Sequence, residues 1–198
     1  MLEGNGNNSY KWGLMFSPIS YDISDTEFDD GSQRRFSNGT DNPLWFTDRQ
    51  NVGSNVKRYI GNFQATYDLT DWLTLQEDIG VDTYTDNRGQ QINANTLDEP
   101  SGFTLDQAIN RTEVNSTFDV RMDQQLNEDF GLDVVVGNNI SWRNYEYDRL
   151  EGTGIGVADF FNISNFTSTS QASFKQKQTL LAAFGKATVN FRDYAYLT

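Results

Sequence analysis

The chain has 198 residues, 28 Asp and Glu against 15 Lys and Arg, a formal net charge of −13, and neither Cys nor His. The missing Cys and His exclude disulfide frameworks, thiol nucleophiles, Cys-based zinc sites and Ser-His-Asp triads, and the acidic balance argues against nucleic acid as a partner. Aromatic residues make up 14% of a chain that is only 36% hydrophobic, a mix suited to apolar side chains confined to one face with rings near water boundaries.

No stretch approaches the ~20 apolar residues a spanning helix needs. Met1-Leu2-Glu3-Gly4 leads directly into Asn/Gly-rich sequence, so no signal peptide is expected within this stretch. Residues 1–55 are expected to be mostly extracellular loop. Within them, Tyr21–Gly31 (YDISDTEFDDG) gathers Asp25, Glu27 and Asp29, oxygen ligands of the kind calcium prefers. The EF-hand pattern fails, with Asp30 where Gly is needed and Phe36 where the closing Glu belongs. The alternative is a solvated acidic loop. Next, Asn42–Phe46 (NPLWF) sets Trp45 and Phe46 in polar sequence. Exposed, the two rings would contact a ligand or partner; packed, they would hold the loop onto the sheet.

From Tyr59 a strand period of two takes over. Tyr59, Gly61, Phe63, Ala65, Tyr67 and Leu69 alternate with Ile60, Asn62, Gln64, Thr66 and Asp68, and the pattern resumes with Leu73, Leu75, Ile79 and Val81. Val114–Trp142 repeats it: Val114, Ser116, Phe118, Val120 and Met122 oppose Asn115, Thr117, Asp119, Arg121 and Asp123, then Leu132, Val134, Val136, Ile140 and Trp142 follow. A third copy from Thr179 sets Leu181, Ala183, Gly185, Ala187, Val189 and Phe191 against Ala182, Phe184, Lys186, Thr188, Asn190 and Arg192. The copies break at Asp71-Trp72, Asp129-Phe130 and Asp193-Tyr194, where an acid makes the turn and a ring follows. Long polar segments, 86–113 and 143–178, separate the hairpins and are expected as loops. Gly152–Gly156 (GTGIG) lacks the Lys and the strand–helix setting of a phosphate loop.

Short turns at one end and long loops at the other predict an all-β, antiparallel, up-and-down transmembrane β-barrel segment of about six strands, with short periplasmic turns and long extracellular loops. A strand of ~11 residues, tilted, spans about 25 Å, the height of an outer-membrane apolar band. Trp72, Phe130 and Tyr194 would form an aromatic girdle and the polar face would line a wet lumen. Glu77, on the apolar face, and Lys186 depart from the pattern; a bulge or a protein contact would accommodate Glu77.

DNPLW (Asp41–Trp45), VKRYIGN (Val56–Asn62), LTDWLTL (Leu69–Leu75), GVDTYTDNR (Gly80–Arg88), QLNEDFGL (Gln125–Leu132), DFFNISNF (Asp159–Phe166) and DYAYLT (Asp193–Thr198), in this order and spacing, resemble TonB-dependent outer-membrane transporters of the SusC/RagA type. The resemblance implies a partial receptor barrel without plug domain, residues 56–198 forming three long hairpins of which the last is truncated. It implies a non-enzyme without catalytic or cofactor-binding residues, placed in the cell outer membrane of a Gram-negative bacterium. Import of oligosaccharides or peptides, with a SusD-like lipoprotein, TonB and the lipid bilayer as partners, follows from the same resemblance. A soluble β-sheet carbohydrate-binding module is the alternative. A glycosidase would need a carboxylate pair, and nothing in the sequence singles one out.

Overall fold

The computed structural model describes residues 10–192 and 194–198; the Met1–Gly4 start and Asp193 of the third break lie outside them. Two short helices, α1 (Tyr10–Phe16) and α2 (Pro43–Asp48), precede β1 (Gln50–Thr70), β2 (Leu73–Ile92), β3 (Phe103–Gln125), β4 (Phe130–Ile155), β5 (Phe166–Phe191) and β6 (Ala195–Leu197). The strands form one sheet in chain order, β1-β2-β3-β4-β5-β6. This is the up-and-down arrangement expected, and no described helix is long and apolar enough to cross a membrane.

Two expectations need correction. β2 to β5 run for 20, 23, 26 and 26 residues, about twice the ~11 inferred from the apolar alternation. The segments 86–113 and 143–178 are accordingly strand for most of their length, and the connections shrink to 93–102 and 156–165. Apolar alternation marks only the part of a strand with one apolar face; where both faces are polar the ladder continues without that signal. Thr83, Thr85, Asn110 and Thr112 show the case: Thr83 Oγ1 lies 3.0 Å from Thr112 Oγ1, and Thr85 Oγ1 donates to Asn110 Oδ1 at 2.8 Å, in regular β2–β3 pairing. Likewise β1 starts at Gln50, inside the segment expected as loop.

The chain divides into two compact units, one of residues up to Val56 with Asp86–Ile109 and Tyr147–Phe174, the other of Lys57–Thr85, Asn110–Glu146 and Lys175–Thr198. Among the described residues, the large buried apolar side chains Trp45, Phe46, Ile92 and Phe166 all belong to the first unit. The second unit is a sheet whose apolar face stands bare: Tyr59, Phe63, Tyr67, Leu69, Val81, Phe118, Val136, Ile140, Leu181 and Val189 are all exposed. Glu77 is held on that face without a bulge, accepting a 2.6 Å hydrogen bond from Ser116 Oγ on the neighbouring strand.

Side-chain oxygens make the tight turns. Asn127 Oδ1 accepts from the backbone N–H groups of Asp129 and Phe130, both at 2.9 Å, an Asx turn. Asp129 accepts from Arg192, through its carbonyl from the backbone N–H at 2.8 Å and through Oδ1 from Nε at 2.6 Å. Arg192 has a φ of 49°, a left-handed conformation held by these two bonds. Beside the turns, Phe191 packs on Phe130 and Tyr194 with centroids 5.0 and 5.5 Å apart.

On the polar face β4 has two notches. Asn190 Oδ1 accepts from Gly131 N at 3.0 Å. A Cβ at Gly137 would meet the Phe184 ring at 2.5 Å, the Phe118 carbonyl oxygen at 2.7 Å and Asp119 Cβ at 2.9 Å, so Phe184, an aromatic on the polar face, fits over bare backbone. Gly137→Ala is expected to destabilise the sheet by about 1–3 kcal/mol through overpacking. Repeating it in a Phe184→Ala background should recover part of that loss, read from denaturant midpoints in a double-mutant cycle; strict additivity would show that the ring does not occupy the notch.

Candidate functional site

The polar face of the second unit carries paired charges. Arg58 engages both carboxyl oxygens of Asp82, through Nε at 2.9 Å and Nη2 at 2.6 Å. Glu113 sits between two guanidinium groups, accepting from Arg111 at 3.0 Å and from Arg143 at 3.1 Å. Arg121 Nε donates to Asp119 Oδ2 at 2.7 Å, and Asp119 is 4% exposed. Alternation explains the array: residues two apart share a face, so Arg111 meets Glu113 along β3 and Arg121 meets Asp119, while Arg58 and Arg143 reach across to the next strand. Bidentate matching of planar groups favours Arg over Lys at such positions.

Beside the Glu113 cluster lies an open pocket of about 220 Å³, to which Asn144 also contributes, with Tyr84, Arg111, Arg143, Tyr145, Gln176 and Gln178 around it. Phenol rings, guanidinium planes and amides offer stacking surfaces and hydrogen bonds in both senses. This suits an extended polar ligand rich in hydroxyl or amide groups. Asp82, Glu113 and Asp119 are each engaged by guanidinium groups, which leaves them as parts of a charged wall.

The residues singled out in the sequence lie elsewhere. Asp25 pairs with Arg34 and Glu27 with Arg49, and among the described residues no three acids come together as a metal site. Trp45 and Phe46, on α2, are 3% and 4% exposed. Both pack in the first unit, and the Arg49 guanidinium lies 4.6 Å from the Trp45 ring.

The sequence around the pair shows why they are interior. Asn42, 0% exposed, caps α2 by accepting from Leu44 N and Trp45 N, while its Nδ2 donates to Tyr21 Oη at 2.8 Å and to the Ile23 carbonyl at 3.1 Å. Pro43 occupies the first helical position, where its missing N–H costs nothing. Asp41, 2% exposed, accepts from Leu97 N at 3.0 Å and lies 3.2 Å from Arg35. Burial pushes its carboxyl above the usual range, against the pull of the Leu97 amide and Arg35.

Sequence reasoning missed the pocket because Tyr84, Arg111, Arg143, Tyr145, Gln176 and Gln178 fall where one face is no longer apolar. A usable signal was present in WRNYEY (Trp142–Tyr147), where Arg143, Tyr145 and Tyr147 occupy every second position.

No family model matches the sequence, and no curated relative does either. Solved structures do match. The RagAB peptide transporter superposes with a TM-score of 0.71 at 14% identity over 84% of this chain. The RagAB peptide importer in its "open-open" state gives 0.65 at 17% identity over 85% of this chain. In both cases the chain spans 20% of the solved chain. The likeness is one of fold, and at that level it agrees with the SusC/RagA-type resemblance carried by the sequence.

Two outcomes are expected for the first unit. Trp45→Ala should cost about 3–5 kcal/mol there, seen as new proteolytic cleavage between residues 10 and 50; cleavage unchanged from wild type would show the ring to be dispensable for packing. Because Asp41 has a raised folded-state value, its contribution to stability is complete below the ordinary carboxylate range and is lost as pH rises through that raised value. Protection of the Leu97 amide, corrected for intrinsic exchange, should therefore fall in wild type as pH rises above the ordinary carboxylate range, and Asp41→Asn should remove that dependence.

Proposed function

We propose that the chain forms part of the barrel wall of an outer-membrane active importer of a Gram-negative bacterium. Its bare apolar face meets lipid, and its polar face lines the path of an imported oligosaccharide or peptide. The carrying observation is the second unit, which has no buried apolar residue among those described and a continuous band of exposed ones. A soluble sheet of this size would bury one face against another layer, which weighs against the carbohydrate-binding module. The fold shared with the RagAB peptide transporter supports the transport reading, as does a polar face whose charges are ordered into pairs. TonB as the source of energy and a SusD-like surface lipoprotein as the capping partner complete the proposal; both rest on the sequence resemblance.

The two faces separate in a simple comparison within the assembled membrane protein. Phe118→Arg places a charge against hydrocarbon and should cost about 2–4 kcal/mol. Thr117→Arg, one residue earlier, removes one hydrogen bond from Asn139 and should cost about 1 kcal/mol. Equal losses of folded protein would refute the assignment of faces. For the pocket, Arg143→Gln with Tyr145→Ala should lower uptake of the cognate nutrient on the order of tenfold, about one good polar contact plus one stacked ring, with surface levels unchanged. Growth on that nutrient and surface labelling are the measurements, and undiminished uptake would remove the pocket from the path.

A further inference from the structure

Apart from Lys186, the strand cations of the second unit are sorted by face and by type. Arg58, Arg111, Arg121 and Arg143 lie on the polar face, each paired with a carboxylate. Lys186 shares that face by its position in β5. The strand cations on the opposite face are Lys57, Lys175 and Lys177, and all three stand just past the loop-side edge of the apolar band. Lys57 follows Tyr59 in that direction along β1, and Lys177 follows Thr179 and Leu181 along β5. On the strands between, the same step leads from Val81 to Thr83, from Val114 to Thr112 and from Trp142 to Asn144. The Thr83–Thr112 contact at 3.0 Å places those two side by side in one row. The next row carries Thr85, Asn110, Glu146 and Lys175, with Thr85 bonded to Asn110 at 2.8 Å and Lys175 paired with Glu146. Asn144 Nδ2 also donates to Glu146, at 3.2 Å.

Three Lys and one Glu leave these two rows with a formal charge of +2, within a chain of net charge −13. From the band outward the chemistry therefore changes from aliphatic and aromatic, ending at Tyr59 and Trp142, to cationic and hydroxylic. We infer that this belt of Lys57, Lys175 and Lys177 binds the phosphate-bearing headgroups of outer-leaflet glycolipids. The choice of residue fits. A lysine keeps its long stem along apolar surface while its ammonium reaches the headgroup level, and as a point charge it pairs with phosphate from any approach. An arginine is better used where a carboxylate can be matched in a fixed fork, as on the other face. Thr83, Thr112 and Asn144 supply hydroxyl and amide donors in the same row as Lys57 and Lys177. Glu146 is neutralised by Lys175, which leaves Lys57 and Lys177 as the attracting charges at either side of the belt.

The inference rests on the transmembrane reading proposed above, and the test separates the two. The protein is extracted from its native membrane in mild detergent, and retained phosphorylated glycolipid is measured per protein by mass spectrometry. The variants are the triple Lys57→Gln, Lys175→Gln, Lys177→Gln; the charge-keeping triple Lys57→Arg, Lys175→Arg, Lys177→Arg; and Lys186→Gln as the opposite-face control. The neutral triple should retain at least about tenfold less, since each Lys near an anionic surface carries a sizeable share of attraction. The Arg triple and the control should retain wild-type amounts, and added dephosphorylated glycolipid should bind wild type and neutral triple equally. Undiminished retention by the neutral triple would overturn the inference. So would displacement of the lipid by millimolar inorganic phosphate, which would make the belt a site for the free ion. Absence of the wild-type protein from the membrane fraction would instead defeat the transmembrane reading, and the inference with it.

Discussion

The sheet of this chain depends on one constraint: a single hydrogen-bonded ladder carries two faces of different character. Side chains on a strand alternate between faces without exception, so a sheet one layer thick can be apolar on one side and charged on the other. Its backbone groups stay satisfied within the sheet by the neighbouring strands. In the second unit the apolar side has no covering layer among the described residues. Under the proposed transmembrane reading, hydrocarbon is the neighbour that covers it.

The polar face shows what that arrangement permits. Freed from any core, it carries a lattice in which Arg58, Arg111, Arg121 and Arg143 hold Asp82, Glu113 and Asp119. Isolated surface ion pairs contribute little to stability. Here a shared carboxylate and the bidentate Arg58–Asp82 contact fix the directions of the side chains across that face. Gly131 and Gly137 play a complementary part. By omitting a side chain they admit Asn190 and the Phe184 ring, so that neighbouring strands interlock on a face with little apolar material.

The first unit follows different rules. Its segments outside the strands pack Trp45, Phe46 and Pro43 around a polar skeleton in which Asn42 and Asp41 make bonds that water would otherwise make. Asn93 donates to Asp159 Oδ1 at 2.7 Å and accepts from its backbone N–H at 3.2 Å, tying the connection after β2 to the one after β4. Hydrogen-bonded polar groups such as Asn42 and Asn93 help specify one arrangement of a connection that has few apolar contacts to do so.

The strand period, the positions of the turns and the identity of the two faces were legible in the sequence, because alternation and turn chemistry act between near neighbours. Leu181 to Phe191 and Val114 to Met122 announce their faces without any knowledge of their partners. The true lengths of the strands were not legible, since beyond Trp142 and Val81 both faces turn polar and the period-two contrast disappears while pairing continues. The burial of Trp45 and Phe46 was equally hidden. It depends on Asn42 reaching Tyr21 and Ile23, and on Asp41 reaching Leu97 more than fifty residues along the chain. Glu77 remained an anomaly in one dimension and became a hydrogen-bonded group only when β3 set Ser116 beside it. Local alternation is written residue by residue, whereas partners across strands and loops exist only after folding brings distant segments together.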